Sequence, residues 1–348
     1  MTKAVIISDL HLTNESTDEY RWDVFDRAEE QIKERSCDAL FILGDVFDKK
    51  DRHPSSIVNR LTDRITKLAQ QVPITILKGN HDYIEPTEPF LRFLDHIANV
   101  SWINEPTLKI YNDLRVGWLP HSRTPTTEWP EFLKNNTFDL IFMHQSVIGS
   151  KTSNDFEINH ALPLAWLEEQ VNCPIISGDI HVPQTISRLM YVGTQHPVSY
   201  GDSYNYRMLI LPLKTPISAR SIPVQAIKRH SIRVSNTDDL EYLMESGKLR
   251  KGDQAKIKID LTEETLGDWV QAKNETLAWC AANHIQVEDV KLNKIAQTTP
   301  LVDQESKSTP ATDPHRALSV YIDKGIDPAI AQIGTEILTE VLNETITH

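Results

Sequence analysis

Short apolar runs alternate with longer amphipathic stretches over residues 1–215 of the chain. Apolar runs of this length predict buried strands, and apolar residues that recur every three or four positions predict helices packed against them. The helical spacing is clearest for Ile57, Leu61, Ile65 and Leu68. Strands are predicted at residues 115–119, 188–192 and 206–213 and, most informatively, in five short runs at 4–7, 39–43, 74–77, 140–143 and 174–176. The pattern therefore predicts an α/β fold, a sandwich with a mixed sheet that is flanked by helices.

Each of these five runs ends beside a polar side chain of a type that binds metals or moves protons. The residues that follow the runs are Asp9, His11, Asp45, Asn80, His81, Asp82, His144, Asp179 and His181. In open α/β sheets, functional sites form beyond the carboxyl ends of the strands. The repetition at five strand ends therefore predicts that these side chains converge on one site.

The remainder of the chain changes in character after residue 215. Strands are predicted at 222–234 and 255–261 and a helix at 264–283, which together suggest a small α+β domain over 216–295. Residues 296–313 are polar and have the composition of a linker. Over 314–348, two Asp-Pro helix starts and an apolar stripe predict a helical hairpin. The apolar stripe consists of Ile330, Ile333, Ile337, Val341 and Leu342.

The amino-acid composition predicts a globular protein without a membrane span. Hydrophobic residues make up 40% and charged residues 24% of the 348 positions, which is typical of globular proteins. A membrane span would need roughly 18 apolar residues in a row, and we find neither such a run nor a signal peptide. The three cysteines are far apart and odd in number, which favours reduced, buried thiols and a cytoplasmic location. The net charge of −13 argues against tight binding of nucleic acid by this chain alone.

The order of the strand-end motifs resembles that of the calcineurin-like metallophosphoesterases. The motifs are Asp9-x-His11, Gly44-Asp45, Gly79-Asn80-His81-Asp82, His144 and Asp179-x-His181. The resemblance implies two divalent metal ions bridged by Asp45. It assigns Asp9, His11 and His181 to the first ion and Asn80, His144 and Asp179 to the second. It makes His81 the acid–base residue, oriented by Asp82, and it makes Asp48 and His196 candidates for substrate contact. A structural role in their loops is the alternative for these last two residues.

One position departs from the family pattern. Most relatives have Gly-His-x-His at the last motif, where this chain has Gly178-Asp179-Ile180-His181. Asp179 is either a lost ligand or a carboxylate ligand in place of an imidazole, and we favour the second interpretation. Oxygen ligands of this kind favour manganese or magnesium over zinc.

Within the superfamily, the chain looks like the SbcD-type nuclease subunits and their phage relatives. This similarity is carried by the segments Gly44-Asp45-Val46-Phe47-Asp48, Gly178-Asp179-Ile180-His181-Val182-Pro183-Gln184 and Tyr191-Val192-Gly193-Thr194. It implies a manganese-dependent DNA exonuclease and endonuclease, with magnesium as the alternative ion, that forms a homodimer and takes part in DNA repair or recombination. It also implies that the C-terminal hairpin binds an SbcC-like ATPase.

Two alternatives to the nuclease stay open. The first is a small-molecule or cyclic nucleotide phosphodiesterase that has no DNA partner. The second is a catalytically weak structural subunit, which would follow if Asp179 no longer binds metal.

Overall fold

The computed structural model describes residues 2–295, apart from residues 154 and 203. Met1–Ile295 form one compact unit. The predicted linker and the predicted helical hairpin lie outside the described residues, and the boundary predicted at residue 215 stays a prediction. No helix in the described ranges is both long enough and apolar enough to cross a membrane.

Two six-stranded sheets form the core of the fold, which confirms the predicted α/β sandwich. The first sheet has the order β12-β11-β1-β2-β3-β4 and the second has the order β5-β6-β7-β8-β10-β9. Strands β1 to β4 are parallel, and so are β6, β7, β8 and β10, while the outer strands β11, β12, β5 and β9 run antiparallel to their neighbours. Both sheets are therefore mixed. The strands of the first sheet are β1 (Lys3–Ile7), β2 (Ala39–Ile42), β3 (Ile74–Leu77), β4 (Val100–Ile103), β11 (Arg207–Pro212) and β12 (Arg220–Pro223). Those of the second are β5 (Thr107–Tyr111), β6 (Leu114–Leu119), β7 (Leu140–His144), β8 (Ile175–Gly178), β9 (Gln184–Ile186) and β10 (Leu189–Tyr191).

The space between the two sheets is filled by large apolar side chains. Phe41 from the first sheet contacts Trp118 and Phe142 from the second, with ring centroids 5.1 and 5.4 Å apart. The parallel strands are apolar on both faces because the other sheet covers one face and helices cover the other. This double burial explains why the sequence shows short continuous apolar runs at these strands.

Helices cover the outer faces of the sandwich. The amphipathic stretches predicted as helices form α1 (Asp23–Arg35) and α2 (Ser55–Ala69), and their apolar stripes pack on the first sheet. The other helices of this part are α3 (Pro125–Glu128), α4 (Pro130–Asn135) and α5 (Leu164–Gln170), with short 3₁₀ helices at Ser16–Trp22 and Phe90–His96. Cys37, Cys173 and Cys280 are buried free thiols, as predicted.

The region after residue 223 differs from its prediction in detail. Residues 222–234 do not form one strand, because β12 belongs to the first sheet and β13 (Arg229–Val234) begins a separate sheet with β14 (Gln254–Leu261) and β15 (Gln286–Lys294). Helices α6 (Thr237–Glu245) and α7 (Trp269–Ala282) connect these strands, and a 3₁₀ turn at Leu266–Asp268 precedes α7. All three strands are parallel, so helices and strands alternate here and do not segregate as an α+β domain would. Sequence analysis missed α6 and β15.

Candidate metal centre and active site

The predicted metal ligands and His81 lie at or just after the carboxyl ends of β1, β2, β3, β7 and β8. Four of them have a positive φ, namely Asp9 at 54°, His11 at 43°, Asp45 at 53° and Asp179 at 84°. Aspartate tolerates this left-handed conformation better than most residues, because its short polar side chain can form local hydrogen bonds. These local turns, at the ends of strands from both sheets, place the carboxylates in one cluster.

Glycine is required where the strand ends approach one another most closely. A Cβ atom on Gly79 would lie 2.2 Å from Asp45 Oδ1, and one on Gly44 would lie 2.2 Å from His144 Nδ1. Gly44 also has a φ of +89°, which few other residues adopt. The glycines of the Gly-Asp and Gly-Asn-His-Asp motifs therefore leave the space that the ligand-type side chains occupy.

One end of the cluster contains Asp9, His11 and His181. Each offers a ligand atom, and these atoms all lie within 4.8 Å of one another. The Nε2 atoms of His11 and His181 are 3.0 Å apart. This group corresponds to the first metal site that the family resemblance implies.

The other end of the cluster contains Asn80, His144 and Asp179. His144 Nε2 lies 3.7 Å from Asp179 Oδ1 and 3.1 Å from the amide oxygen of Asn80. With its amide group turned over, Asn80 places its nitrogen 3.3 Å from Asp179 Oδ1. In this turned orientation the Asn80 nitrogen donates hydrogen bonds to the neighbouring carboxylates and to His144. Metal binding would instead use the amide oxygen, and the two orientations differ only by a rotation of the amide group. Asp179 thus points into the cluster, where the resemblance implies the second metal site.

Asp45 lies between these two ends. Its Oδ2 is 3.5 Å from His11 Nε2, and its Oδ1 is 3.3 Å from His144 Nε2. The two oxygens of one carboxylate therefore face the two imidazoles of opposite ends. This is the arrangement that a bridging carboxylate requires.

The electrostatics of the cluster favour ionised carboxylate at Asp45. Burial by itself would raise the pKa of Asp45, but the nearby imidazoles, His144 first and then His11, outweigh burial and hold that pKa well below its usual range. Burial raises the pKa of Asp9, and the imidazoles of His144 and His181 offset only part of this effect. Burial opposes protonation of His144, but the surrounding carboxylates, Asp45 first and then Asp9 and Asp179, together outweigh burial and raise the pKa of His144. A metal ion would compete with this proton for Nε2.

Two observations show that the side chains fit divalent metal ions. Asp179 Oδ2 and His11 Nδ1 are buried and have no hydrogen-bond partner among the described residues. An unpaired buried carboxylate oxygen is costly, and a bound cation removes that cost. His144 Nδ1 lies 2.6 Å from the carbonyl oxygen of Leu43 and can donate to it, which leaves Nε2 free as a ligand atom. Imidazole, carboxylate and amide groups together suit manganese, iron or zinc.

His81 lies beside the cluster, but its orientation has a different cause from the one expected. Its Nδ1 is 2.6 Å from the carbonyl oxygen of Asp48, which can accept the ring N–H. The carboxylate of Asp82 accepts backbone N–H groups from Gly79, Asp45 and Val46 at 2.7, 3.0 and 2.9 Å. The expectation that Asp82 orients the imidazole is therefore corrected, because both of its oxygens are used to hold the Asp45 loop against the Gly79 turn. Burial, with the nearby Asp45 carboxylate, raises the pKa of Asp82 to about 6.

The two candidates for substrate contact have different positions. His196 is only 2% exposed, and its Nε2 lies 2.9 Å from the carbonyl oxygen of Leu10. Substrate contact by His196 is therefore corrected to a buried structural role. Asp48 Oδ1 lies 3.6 Å from His11 Nδ1 and 3.5 Å from Arg21, and the His11 imidazole lowers the pKa of Asp48 to about 2. Its side chain is 37% exposed, so direct contact with substrate stays a prediction alongside this positioning role.

Sequence analysis missed a buried chain of charges behind His11. Arg21 donates to the carbonyl oxygen of His11 at 2.5 Å and pairs with Asp18 at 3.1 Å. Asp18 also pairs with Arg229 of β13, at 3.5 Å. All three charged residues are buried. In the sequence they stand among other polar residues and look like a solvated surface, so only their burial in the fold distinguishes them.

Known proteins share the part of the chain that carries these motifs. An uncharacterized protein of Acanthamoeba polyphaga mimivirus is 22% identical over 219 residues, which are 57% of this chain and 16% of that protein. A UDP-2,3-diacylglucosamine hydrolase of Shewanella loihica is 25% identical over 148 residues, which are 39% of this chain and 59% of that enzyme. The chain thus spans less than two thirds of the length of these two relatives. The chain is also similar to the solved structure of an archaeal phosphodiesterase. The aligned region covers 64% of this chain and 100% of the archaeal chain, with 13% identity and a TM-score of 0.37.

The family model for calcineurin-like phosphoesterases matches residues 2–183, slightly more than half of the 348 positions. The match includes every strand end from Asp9 to His181 that contributes to the metal cluster. The chain therefore belongs to the calcineurin-like phosphoesterase family.

Proposed function

We propose that the protein hydrolyses DNA phosphodiester bonds with two divalent metal ions, manganese foremost, as a nuclease with both exonuclease and endonuclease activity. The observation that carries the hydrolase part is the position of Asp45, whose two oxygens face His11 and His144. The nuclease part rests on the similarity of residues 44–48 and 191–194 to SbcD-type subunits.

In this mechanism Asp9, His11, His181 and Asp45 would hold one ion, and Asn80, His144, Asp179 and Asp45 the other. When bound, the two ions would polarise the phosphate and activate a water molecule for in-line attack. The protein supplies the proton for the leaving oxygen. The Asp48 carbonyl holds Nδ1 of His81, so the opposite nitrogen, Nε2, is left to face the substrate. With both ring nitrogens protonated, His81 can donate from Nε2 as a general acid.

The first test compares substrates. We expect purified protein with manganese to cleave plasmid DNA and single-stranded DNA, and to act weakly on cyclic nucleotides and on UDP-linked small molecules. Strong hydrolysis of a small molecule with no cleavage of DNA would replace the proposal by the alternative. That alternative has one observation in its favour, since the name of the Shewanella relative describes hydrolysis of a UDP-linked substrate.

The partner and the assembly are part of the same proposal. We propose that residues 314–348 bind an SbcC-like ATPase, that the chain forms a homodimer and that it works in the cytoplasm on DNA repair or recombination. A truncation after Thr312 should keep metal-dependent cleavage of short single strands and lose co-purification with the ATPase. Light scattering of the full chain measures the oligomeric state. Unchanged binding of the ATPase by the truncated chain would disprove the assignment of this segment.

A further inference from the structure

Phe47, His53, Phe90 and Phe93 form a cluster of four aromatic rings. His53 stacks on Phe90 with ring centroids 4.1 Å apart and an angle of 26° between the planes. The buried Phe47 packs against the same imidazole at 4.7 Å. Phe93 packs edge-on against Phe90 at 5.8 Å, and Phe90 is still 40% exposed, so it is the ring of this cluster that solvent reaches most.

Two segments of backbone link this aromatic cluster to His81. The N–H of Phe90 donates to the carbonyl oxygen of Asp82, the residue after His81, at 3.3 Å. His53 belongs to the loop that starts at Asp48, whose carbonyl oxygen holds the His81 ring. The cluster therefore has a fixed position relative to the acid–base residue.

The same loop is positively charged in a protein with a net charge of −13. Lys49, Lys50 and Arg52 are exposed, whereas Asp51 is the one acidic residue among positions 49–52. The preceding carboxylate, Asp48, already lies against Arg21. Asp48, Lys49, Arg52 and His53 of this loop line a groove of about 220 Å³, to which Glu15 also contributes. Local cations beside the cluster provide the attraction for phosphates that the chain as a whole lacks.

We propose that Phe90, supported by His53, is a stacking platform for an unpaired base of a single-stranded nucleic acid, and that Lys49, Lys50 and Arg52 bind the phosphates next to that base. Proteins that bind single strands combine aromatic platforms with cationic grooves in this way. A protein partner would be expected to need a wider apolar surface than one exposed ring. The inference rests on the proposed nuclease function and adds the feature of the substrate that the site recognises.

Binding of two oligonucleotides tests the platform. The manganese-loaded protein is titrated with a labelled twelve-residue thymidine oligonucleotide and with an abasic oligonucleotide of equal length, both with phosphorothioate linkages that resist cleavage. We expect the wild type to prefer the oligonucleotide with bases by on the order of tenfold, since stacking on an aromatic ring is worth about this much per base. Phe90→Leu should remove most of that preference, and Phe90→Trp should restore it. Phe156→Leu is the matched control, because Phe156 is a 75% exposed phenylalanine outside this cluster.

The cations are tested with the same ligands. The triple variant Lys49→Ser, Lys50→Ser, Arg52→Ser should weaken binding of both oligonucleotides equally. It should also reduce the salt dependence of binding, with a slope that falls by about 0.7 for each phosphate that the protein no longer neutralises. Free thymidine monophosphate is the competitor that separates a strand from a nucleotide. We expect it to compete poorly, since it offers a single phosphate.

The outcomes separate the two proposals. If the wild type cleaves DNA but binds both oligonucleotides equally, or if Phe90→Leu keeps the preference for bases, the platform is disproved and the nuclease stands. If thymidine monophosphate competes as well as the oligonucleotide, the ring serves a free nucleotide and the inference fails. If the protein neither binds nor cleaves DNA, both proposals fail.

Discussion

His11 and His181 are 170 positions apart in the chain, and their Nε2 atoms lie 3.0 Å from each other. Asp9 lies near both, and one ligand atom from each of the three residues is within 4.8 Å of the other two. His11 comes after β1 in the first sheet, whereas His181 comes after β8 in the second. Two imidazole nitrogens and a carboxylate in this arrangement are explained by a shared metal ion, which turns their close approach into favourable coordination.

Removal of metal is the first prediction. Dialysis against a chelator should abolish phosphodiester hydrolysis and lower the thermal unfolding temperature, because a ligand that binds only the folded state stabilises it. Manganese should restore activity better than zinc, and elemental analysis should find two ions per chain. The far-ultraviolet circular dichroism spectrum of the metal-free protein controls for loss of the fold. Full hydrolysis in excess chelator would disprove the two-metal mechanism.

The second prediction concerns His81. His81→Ala should retain both ions and reduce the rate at least about 10²-fold, which is the usual contribution of one acid–base group. The alternative role for His81 is that of a metal ligand, because one of its ring nitrogens lies within 4.8 Å of ligand atoms of His11 and Asp45. Metal content and rate are measured on the same sample, with the exposed His160→Ala as the control. A parallel loss of metal and rate would make His81 a ligand.

Asp179 is the subject of the third prediction. Asp179→Ala should lower the metal content from two ions to about one, because it removes the carboxylate whose Oδ1 lies 3.7 Å from His144 Nε2 and whose Oδ2 is buried without a hydrogen-bond partner among the described residues. Asp179→His should keep hydrolysis and shift the preference toward zinc, a softer ion. Elemental analysis and activity with each metal measure both effects, and the exposed Asp113→Ala is the control. Unchanged occupancy in Asp179→Ala would favour the weak structural subunit instead.

The fourth prediction separates two roles for Asp82. Asp82→Asn places an amide N–H against backbone N–H groups that now donate to the carboxylate, and it should lower the free energy of unfolding by roughly 2–3 kcal/mol. Denaturant unfolding of the metal-free protein measures this loss, with the exposed Asp63→Asn as the control. A lower rate with unchanged stability would instead show that Asp82 acts through His81.

The fifth prediction concerns pH and the contact between α1 and α2. Hydrogen bonds from Lys33 first, and then from Lys67 and Gln71, lower the pKa of Glu29 from 4.5 to about 2. A carboxyl whose pKa is lower in the folded protein stabilises the fold above its unfolded pKa and loses this effect as the pH falls toward its folded value. Glu29→Gln should therefore cost roughly 0.5–1 kcal/mol at pH 7 and less at pH 3.

Unfolding of Glu29→Gln in urea at the two pH values measures this difference. Glu34→Gln, a change at an exposed position of the same helix, is the matched control. An equal loss of stability at pH 3 and pH 7 would show that the charge of Glu29 is not responsible.

The local pattern of the sequence determined the buried strands and the types of residue at their ends. A parallel strand buried on both faces must be apolar throughout, and a turn that carries a metal ligand must begin where the strand ends. For this reason β3 was predicted with its exact bounds and the turn with Asn80 and His81 was located from the sequence. The helices α1 and α2 were equally clear, because each shows a single apolar stripe.

The pairing of distant groups was decided only by the tertiary structure. Sequence spacing carries no information on which backbone groups meet a carboxylate, so the contacts of Asp82 with Gly79, Asp45 and Val46 appeared only in the fold. The same holds for the buried charges of Arg21 and Arg229, which look like surface residues until another element covers them. β15 was missed because all of its residues are at least partly exposed, and a strand without a continuous buried run has a weak pattern. Burial and hydrogen-bond partners depend on long-range packing, and a local pattern of apolar and polar residues cannot specify them.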